Sequence, residues 1–238
     1  MDRPPTAEAG REPVPDWTPR PLPTAPSAQG RSVQIERFDA AIHGEALFQA
    51  IGRPERHDLW EYIPMGPFDA AAHFTAFFQA MHESGAWHVY VFRRPGEEAL
   101  LGTASLMGVR PEVGVAEVGC VIYGPELKRS TAATELQYLL ASHVFDDLGY
   151  RRYEWKCNAA NAASRSAALR LGFTYEGIFR KHMVVRGRNR DTAWFSITDD
   201  EWPRVRAGVE AWLAEDNFDG DGVPQQGLAE LRARQTRD

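Results

Sequence analysis

Gly124 to Leu136 read GPELKRSTAATEL, a loop that feeds the start of a helix, and in it Lys128, Arg129, Ser130 and Thr131 follow one another. A helix start leaves backbone N–H groups without partners and carries the positive end of the helix dipole, so it attracts anions. Two hydroxyls and two cations there add donors and charge, and the chemistry they suit is the grip of a phosphate. A plain N-cap at Ser130 or Thr131 beside a solvated Arg129 accounts for the same residues without a ligand. A second strand-to-helix junction runs from Arg152 to Leu171, and Asn161 and Ser164 stand at its helix start as caps or as donors. The basic run FRKHMVVRGRNRD holds Arg180, Lys181, Arg186, Arg188 and Arg190, which suit either an anionic ligand or a solvated hairpin.

The elements that position these residues follow from periodicity. RSVQIERF alternates Val33 and Ile35 with polar neighbours, as a half-buried strand does. Two helices follow, the second placing Phe74, Phe77, Phe78 and Met81 at helical spacing. AWHVYVFRR, EALLGTASLMGVR and VAEVGCVIY read as strands. The helix from Thr131 to Leu148 puts Leu136, Leu139, Leu140, His143, Val144 and Leu148 on one face, so it lies against the sheet, and Gly149 ends it. RRYEWKC is a strand and NAASRSAALRLGF a short helix closing at Gly172. IFRKHMVV and DTAWFSIT form a hairpin across Arg186 to Asn189, with Gly187 in the turn. The result is an α/β domain on a mostly antiparallel sheet with helices on its faces.

Bulk properties set the limits. The chain has 238 residues, 43% hydrophobic and 25% charged, enough apolar material for a sizeable core. A net charge of −6 disfavours general nucleic-acid binding, which draws its affinity from cations neutralising phosphates. No apolar run spans a membrane, and MDRPPTAEAGREPVPDW lacks the apolar segment of a secretory signal, which predicts a cytoplasmic protein with no membrane partner. Cys120 and Cys157 read as buried free thiols. Half of the sixteen prolines precede Gly30, so residues 1–29 read as a flexible arm with Trp17 as its anchor. Residues 30–215 form the domain, and 216–238 a polar tail with a short helix from Gly227 to Arg234.

AEVGCVIYGPELKRSTAATEL, then NAANAASRSAALRLGFTYEGIFR, then VVRGRNRDTAWFSI resemble the GNAT acyltransferases, and within them the RimJ/RimL-type branch. The resemblance runs from about Gly30 to Trp202. It implies the GNAT fold, a mixed and mostly antiparallel sheet with splayed strands, and acetyl-CoA as donor to a primary amine on a protein N-terminus, a peptide or a small molecule. It places the pyrophosphate on the backbone of Arg129, Ser130, Thr131, Ala132 and Ala133, and the pantetheine along Cys120, Val121 and Ile122. The family's loop carries an arginine or glutamine, then glycines; here Glu126 takes the first position, Arg129 a glycine position and Thr131 the last, so a silent acyl-CoA-binding domain is the rival reading.

The resemblance further implies that Asn161 contacts the pantetheine arm and that Ser164 stabilises or protonates the leaving thiolate. Many members use a tyrosine as the acid, at a position filled here by Ala168. A strand N–H around Val121 serves the thioester oxygen as charge builds there. Glu117, a carboxylate on the strand beside the cofactor edge, is the first choice of general base, with His182 and His88 as alternatives. Trp60, Glu61 and Tyr62, with Asp58, form an acceptor-facing set in the region that walls the family's acceptor site. No metal is implied, and a homodimer is compatible with the sequence.

Overall fold

Seven apolar-alternating segments pair into one sheet because each buries one face and none alone closes a core. The structure, a computed structural model, describes residues 13–26 and 29–235. The strands are β1 (Gln34–Arg37), β2 (Trp87–Arg93), β3 (Leu100–Arg110), β4 (Val115–Tyr123), β5 (Arg152–Asn158), β6 (Thr174–Val185) and β7 (Arg188–Thr198). They lie in the order β1-β2-β3-β4-β5-β7-β6. Every pairing is antiparallel except that of β4 with β5, which is parallel. The mixed, mostly antiparallel sheet is the one the sequence led us to expect.

Helices cover both faces. On one side α3 (Thr131–Ser142) and α5 (Trp202–Leu213) bury Leu136, Leu140, Val205 and Val209 against Tyr153, Phe195 and Ile197. On the other, α1 (Ala40–Leu47) and α2 (Ala71–Glu83) pack Leu47, Phe74 and Phe78 against Val89 and Val91, with Trp60 at the end of a 3-10 segment, Pro54–Trp60. The helix expected to reach Leu148 changes at Ser142 into a π-turn, His143–Asp147, in which the Leu148 N–H bonds the His143 carbonyl. The short α4 (Ala162–Leu171) ends at Gly172, whose φ of 108° suits glycine at a helix C-terminus.

Two departures from ideal pairing shape the molecule. Strands β4 and β5 pair only from Val115–Val118 to Arg152–Trp155 and then part. Just beyond, β4 bulges: Gly119 faces Ser105 and Ile122 faces Thr103, so one extra residue is fitted at Cys120, which takes φ 48°.

The arm is not free where it is described. Trp17 donates its indole N–H to the Glu112 carbonyl (2.7 Å) with the Arg20 guanidinium 4.5 Å from its ring, and the hydroxyls of Tyr150 and Tyr90 donate to the carbonyls of Pro21 (3.0 Å) and Thr24 (2.5 Å). Trp17 is thus one anchor of several; residues 1–12 lie outside the described residues. The tail also packs: α6 (Leu228–Arg234) buries Leu228 and Leu231 beside α5. Among the described residues no helix is long and apolar enough to cross a membrane.

Candidate active site

A cleft of about 1640 Å³ opens where β4 and β5 part, larger than the ~300–1,000 Å³ of an ordinary small-ligand pocket. Glu61, Tyr62, Glu117, Cys120, Val121, Ile122, Arg129, Ser130, Thr131, Ala133, Asn161 and Ser164 all line it. Three expected residues do not. Trp60 is fully buried, donates its indole N–H to the Ile51 carbonyl (2.7 Å) and meets Phe68 and Phe74 edge to face, so it belongs to the core and cannot touch an acceptor. The Ala132 methyl also turns into the core. His88 lies in β2 away from the cleft, buried, with its pKa lowered by burial.

At one end the cleft meets the start of α3. Arg129 adopts φ 61°, the left-handed conformation that glycine takes most readily, so its backbone follows the glycine course with an arginine side chain added. Ser130 is the N-cap, its hydroxyl accepting the Ala133 N–H (3.1 Å) and donating to the Leu127 carbonyl (2.7 Å). That bond occupies the Ala133 N–H, and the N–H groups of Thr131 and Ala132 are the open donors of a first turn. Lys128 lines the same end, as does Arg170, which sequence reasoning missed: it donates to the Thr134 hydroxyl (3.0 Å) and stacks 5.0 Å from the Trp212 ring. Gly222, Val223 and Pro224 of the tail complete this wall.

In the middle, the Asn161 side chain accepts the Ser164 N–H (3.0 Å) and caps α4. Trp155 donates its indole N–H to the Ser164 hydroxyl (3.0 Å). An indole only donates, so Ser164 keeps its own proton to give elsewhere. Ala168 is fully buried, leaving no room for a tyrosine acid at that position. Burial pushes the Cys120 thiol up to about 12 and raises that of Cys157, so both remain thiols at neutral pH.

The far end is charged. Glu117 Oε2 lies 2.9 Å from Lys156 Nζ, and the same ammonium is 2.8 Å from Glu154 Oε2 and 4.0 Å from the Trp194 ring. Burial raises the Glu117 pKa, Lys156 pulls it partly back, and the neighbouring Glu154 pushes it up again. Burial also works against ionised Glu154, but hydrogen bonds from Lys156 and Arg152 outweigh it and leave that pKa lowered. His182 also lines the cleft, with Nδ1 2.9 Å from the Thr192 hydroxyl. Lys156 is a further cleft residue that sequence reasoning did not single out, and of the cations in the basic run read as anion-binding or solvated only Arg190 lines the cleft; the strand register reveals their neighbours.

Comparison with known proteins agrees with this geometry. Residues 33–174 match the model of the acetyltransferase (GNAT) domain. A curated relative, the uncharacterized N-acetyltransferase YoaA of Bacillus subtilis (strain 168), is 33% identical over 105 residues, 44% of this chain, and the match spans 58% of that relative's length. A crystal structure of a GCN5-related N-acetyltransferase from Brucella melitensis is 41% identical, with a TM-score of 0.86, over 92% of this chain and 99% of that one. A probable acetyltransferase (GNAT family) from Chromobacterium violaceum ATCC 12472 is 35% identical, with a TM-score of 0.76, over 81% and 96%. Parted strands, a bulged β4, a cation-lined helix start and these likenesses converge: the chain belongs to the GNAT acetyltransferase family.

Proposed function

We propose that the protein transfers the acetyl group of acetyl-CoA directly to a primary amine, and we place it in the RimJ/RimL-type branch on the order of its motifs. The observation that carries this is one continuous cleft joining the cation-lined start of α3 to Ser164 and Glu117 across the parted strands. The donor set suits a pyrophosphate-bearing thioester: Lys128, Arg129 and the open N–H groups would hold the phosphates, and β4 past its bulge would offer edge groups to the pantetheine. Acetyl-CoA supplies an activated acyl carbon. Glu117, held beside Lys156, takes a proton from the alkylammonium; the freed amine forms the C–N bond as the C–S bond breaks, and Ser164 relays the second proton to the departing thiolate. The balance is one amide, one thiol and one proton released.

Calorimetry with acetyl-CoA tests the cofactor half. Wild type binds, and Arg129→Ala, which keeps the left-handed backbone but loses the charge, binds several-fold more weakly. No binding to wild type overturns the proposal; unchanged affinity in the variant removes Arg129 from it. The non-glycine loop favours a second reading, acyl-CoA binding without turnover, and thiol release on adding amines separates the two.

A further inference from the structure

Strand β7 alternates, so Arg190, Thr192 and Trp194 share one face, and all three line the cleft. That face of the sheet is a ladder of charges. Arg110, Arg152 and Lys156 stand against Glu117, Glu154 and Glu176, each within ion-pair distance of an opposite charge. Three cations meet three carboxylates, whereas Arg190, a further cation of that face that lines the cleft beside them, has no carboxylate within ion-pair distance among the described residues. Its Nη1 lies 3.0 Å from the Met183 sulfur, a weak acceptor, and its Nε is buried with no partner. The Trp194 indole N–H, four residues along on the same face, is likewise buried without a partner. Burial works against its charge, and Glu117, on β4, is the carboxylate whose field reaches it. A guanidinium drawn partly out of water without an anion is costly, and its planar fork matches a carboxylate with two parallel hydrogen bonds.

We propose that Arg190 binds a carboxylate on the acceptor, so that the amine acetylated by this protein also carries a carboxylate close to its nitrogen, as a free amino acid does. The inference rests on the transferase reading above and narrows its substrate class. A protein N-terminus has an amide where the free amino acid has its carboxylate, and a decarboxylated amine has nothing there; both leave Arg190 unmatched. Lys156 cannot substitute, since Glu117 and Glu154 already hold it.

Thiol release measures kcat/KM for phenylalanine, leucine, glutamine and lysine, each beside its amide and its decarboxylated amine, with wild type, Arg190→Gln and Arg190→Lys. Wild type is expected to favour the acid at least tenfold through KM. Arg190→Gln abolishes the preference, and Arg190→Lys, which keeps the charge and loses the fork, retains part of it. Thermal melts establish that the variants are folded. In parallel, the N-acetyl derivative of each acid and its amide are titrated into CoA-saturated protein, which requires no turnover; the acid binds at least tenfold more tightly to wild type and no more tightly than its amide to Arg190→Gln. Equal affinities in wild type, no binding of either, or a preference that survives Arg190→Gln overturns the inference. Acetyl-CoA calorimetry and thiol release with the amides and decarboxylated amines judge the transferase reading separately.

Discussion

Glu117 and Lys156 show how a single residue's role depends on its neighbour across the sheet. A carboxylate acts as a base only when ionised, and burial moves the Glu117 pKa above the ordinary value of about 4.3, so the acid limb of activity sits above that value. Lys156 is the charge that limits the rise. Lys156→Met therefore shifts the acid limb of kcat/KM to higher pH, while Glu117→Gln removes the limb and lowers the rate by about 10²-fold or more. Coincident pH profiles for wild type and Lys156→Met would remove Glu117 as the titrating base. Glu117 was legible in the sequence as a carboxylate on the right strand. Lys156 was not, because its meaning lies in the parallel register that sets Glu117 against Glu154. Trp60 misled for the opposite reason: an aromatic between Asp58 and Glu61 resembles an acceptor wall, yet it turns inward while the carboxylates on either side stay exposed.

Among the elements, the β6–β7 hairpin lines the cleft at the end proposed for the acceptor, and its shape was partly legible. The turn was expected at Gly187, and Arg186 and Gly187 form a two-residue connection with φ of 48° and 73°, the positive pair that a tight hairpin of right-handed strands demands. What pattern could not reveal is where the tip goes. From it, one guanidinium nitrogen of Arg186 donates to the carbonyls of Ile63 (3.2 Å), Met65 (3.4 Å) and Gly66 (2.5 Å), tying the hairpin to the loop between the 3-10 segment and α2. That loop and β6 both line the cleft, so the clasp fixes how wide the acceptor end stands. Arg186 is exposed, and losing it costs about 1 kcal/mol or less of stability. Arg186→Ala should speed amide exchange in residues 62–68 and raise acceptor KM several-fold while leaving acetyl-CoA affinity unchanged. Exchange rates identical to wild type would show that the clasp restrains nothing. The parting of β4 from β5 was hidden for a similar reason, since it arises from pairing between residues about 37 apart and from a bulge that alternation alone does not announce.

For the molecule as a whole, composition understated the two ends of the chain. Averages poor in apolar residues suggested a loose arm and a polar tail, yet Pro23, Pro26, Leu228 and Leu231 are buried, each finding a site on the domain. The tail has a second consequence. Arg232 donates to the carbonyls of Arg170 (2.7 Å) and Leu169 (3.2 Å) at the end of α4, and its backbone packs where a side chain on Gly208 would stand. The same segment lays Val223 and Pro224 along the end of the cleft proposed for the phosphates, beside Trp212 and Arg170. Removing residues 215–238 therefore deletes both a piece of core and a wall of the site. Burial of two leucines alone contributes about 3–6 kcal/mol, a large share of the roughly 5–15 kcal/mol that holds a domain folded, so the melting temperature should fall by about 10–20 °C. Leu231→Ala separates the two roles, because it opens a cavity costing about 2–5 kcal/mol without touching the cleft. Below its melting transition that variant should bind acetyl-CoA as wild type does, whereas the truncated chain, measured at the same low temperature, should bind several-fold more weakly. If the shortened chain kept full affinity, the tail would be a brace for α5 alone, and the cofactor end would be complete without it.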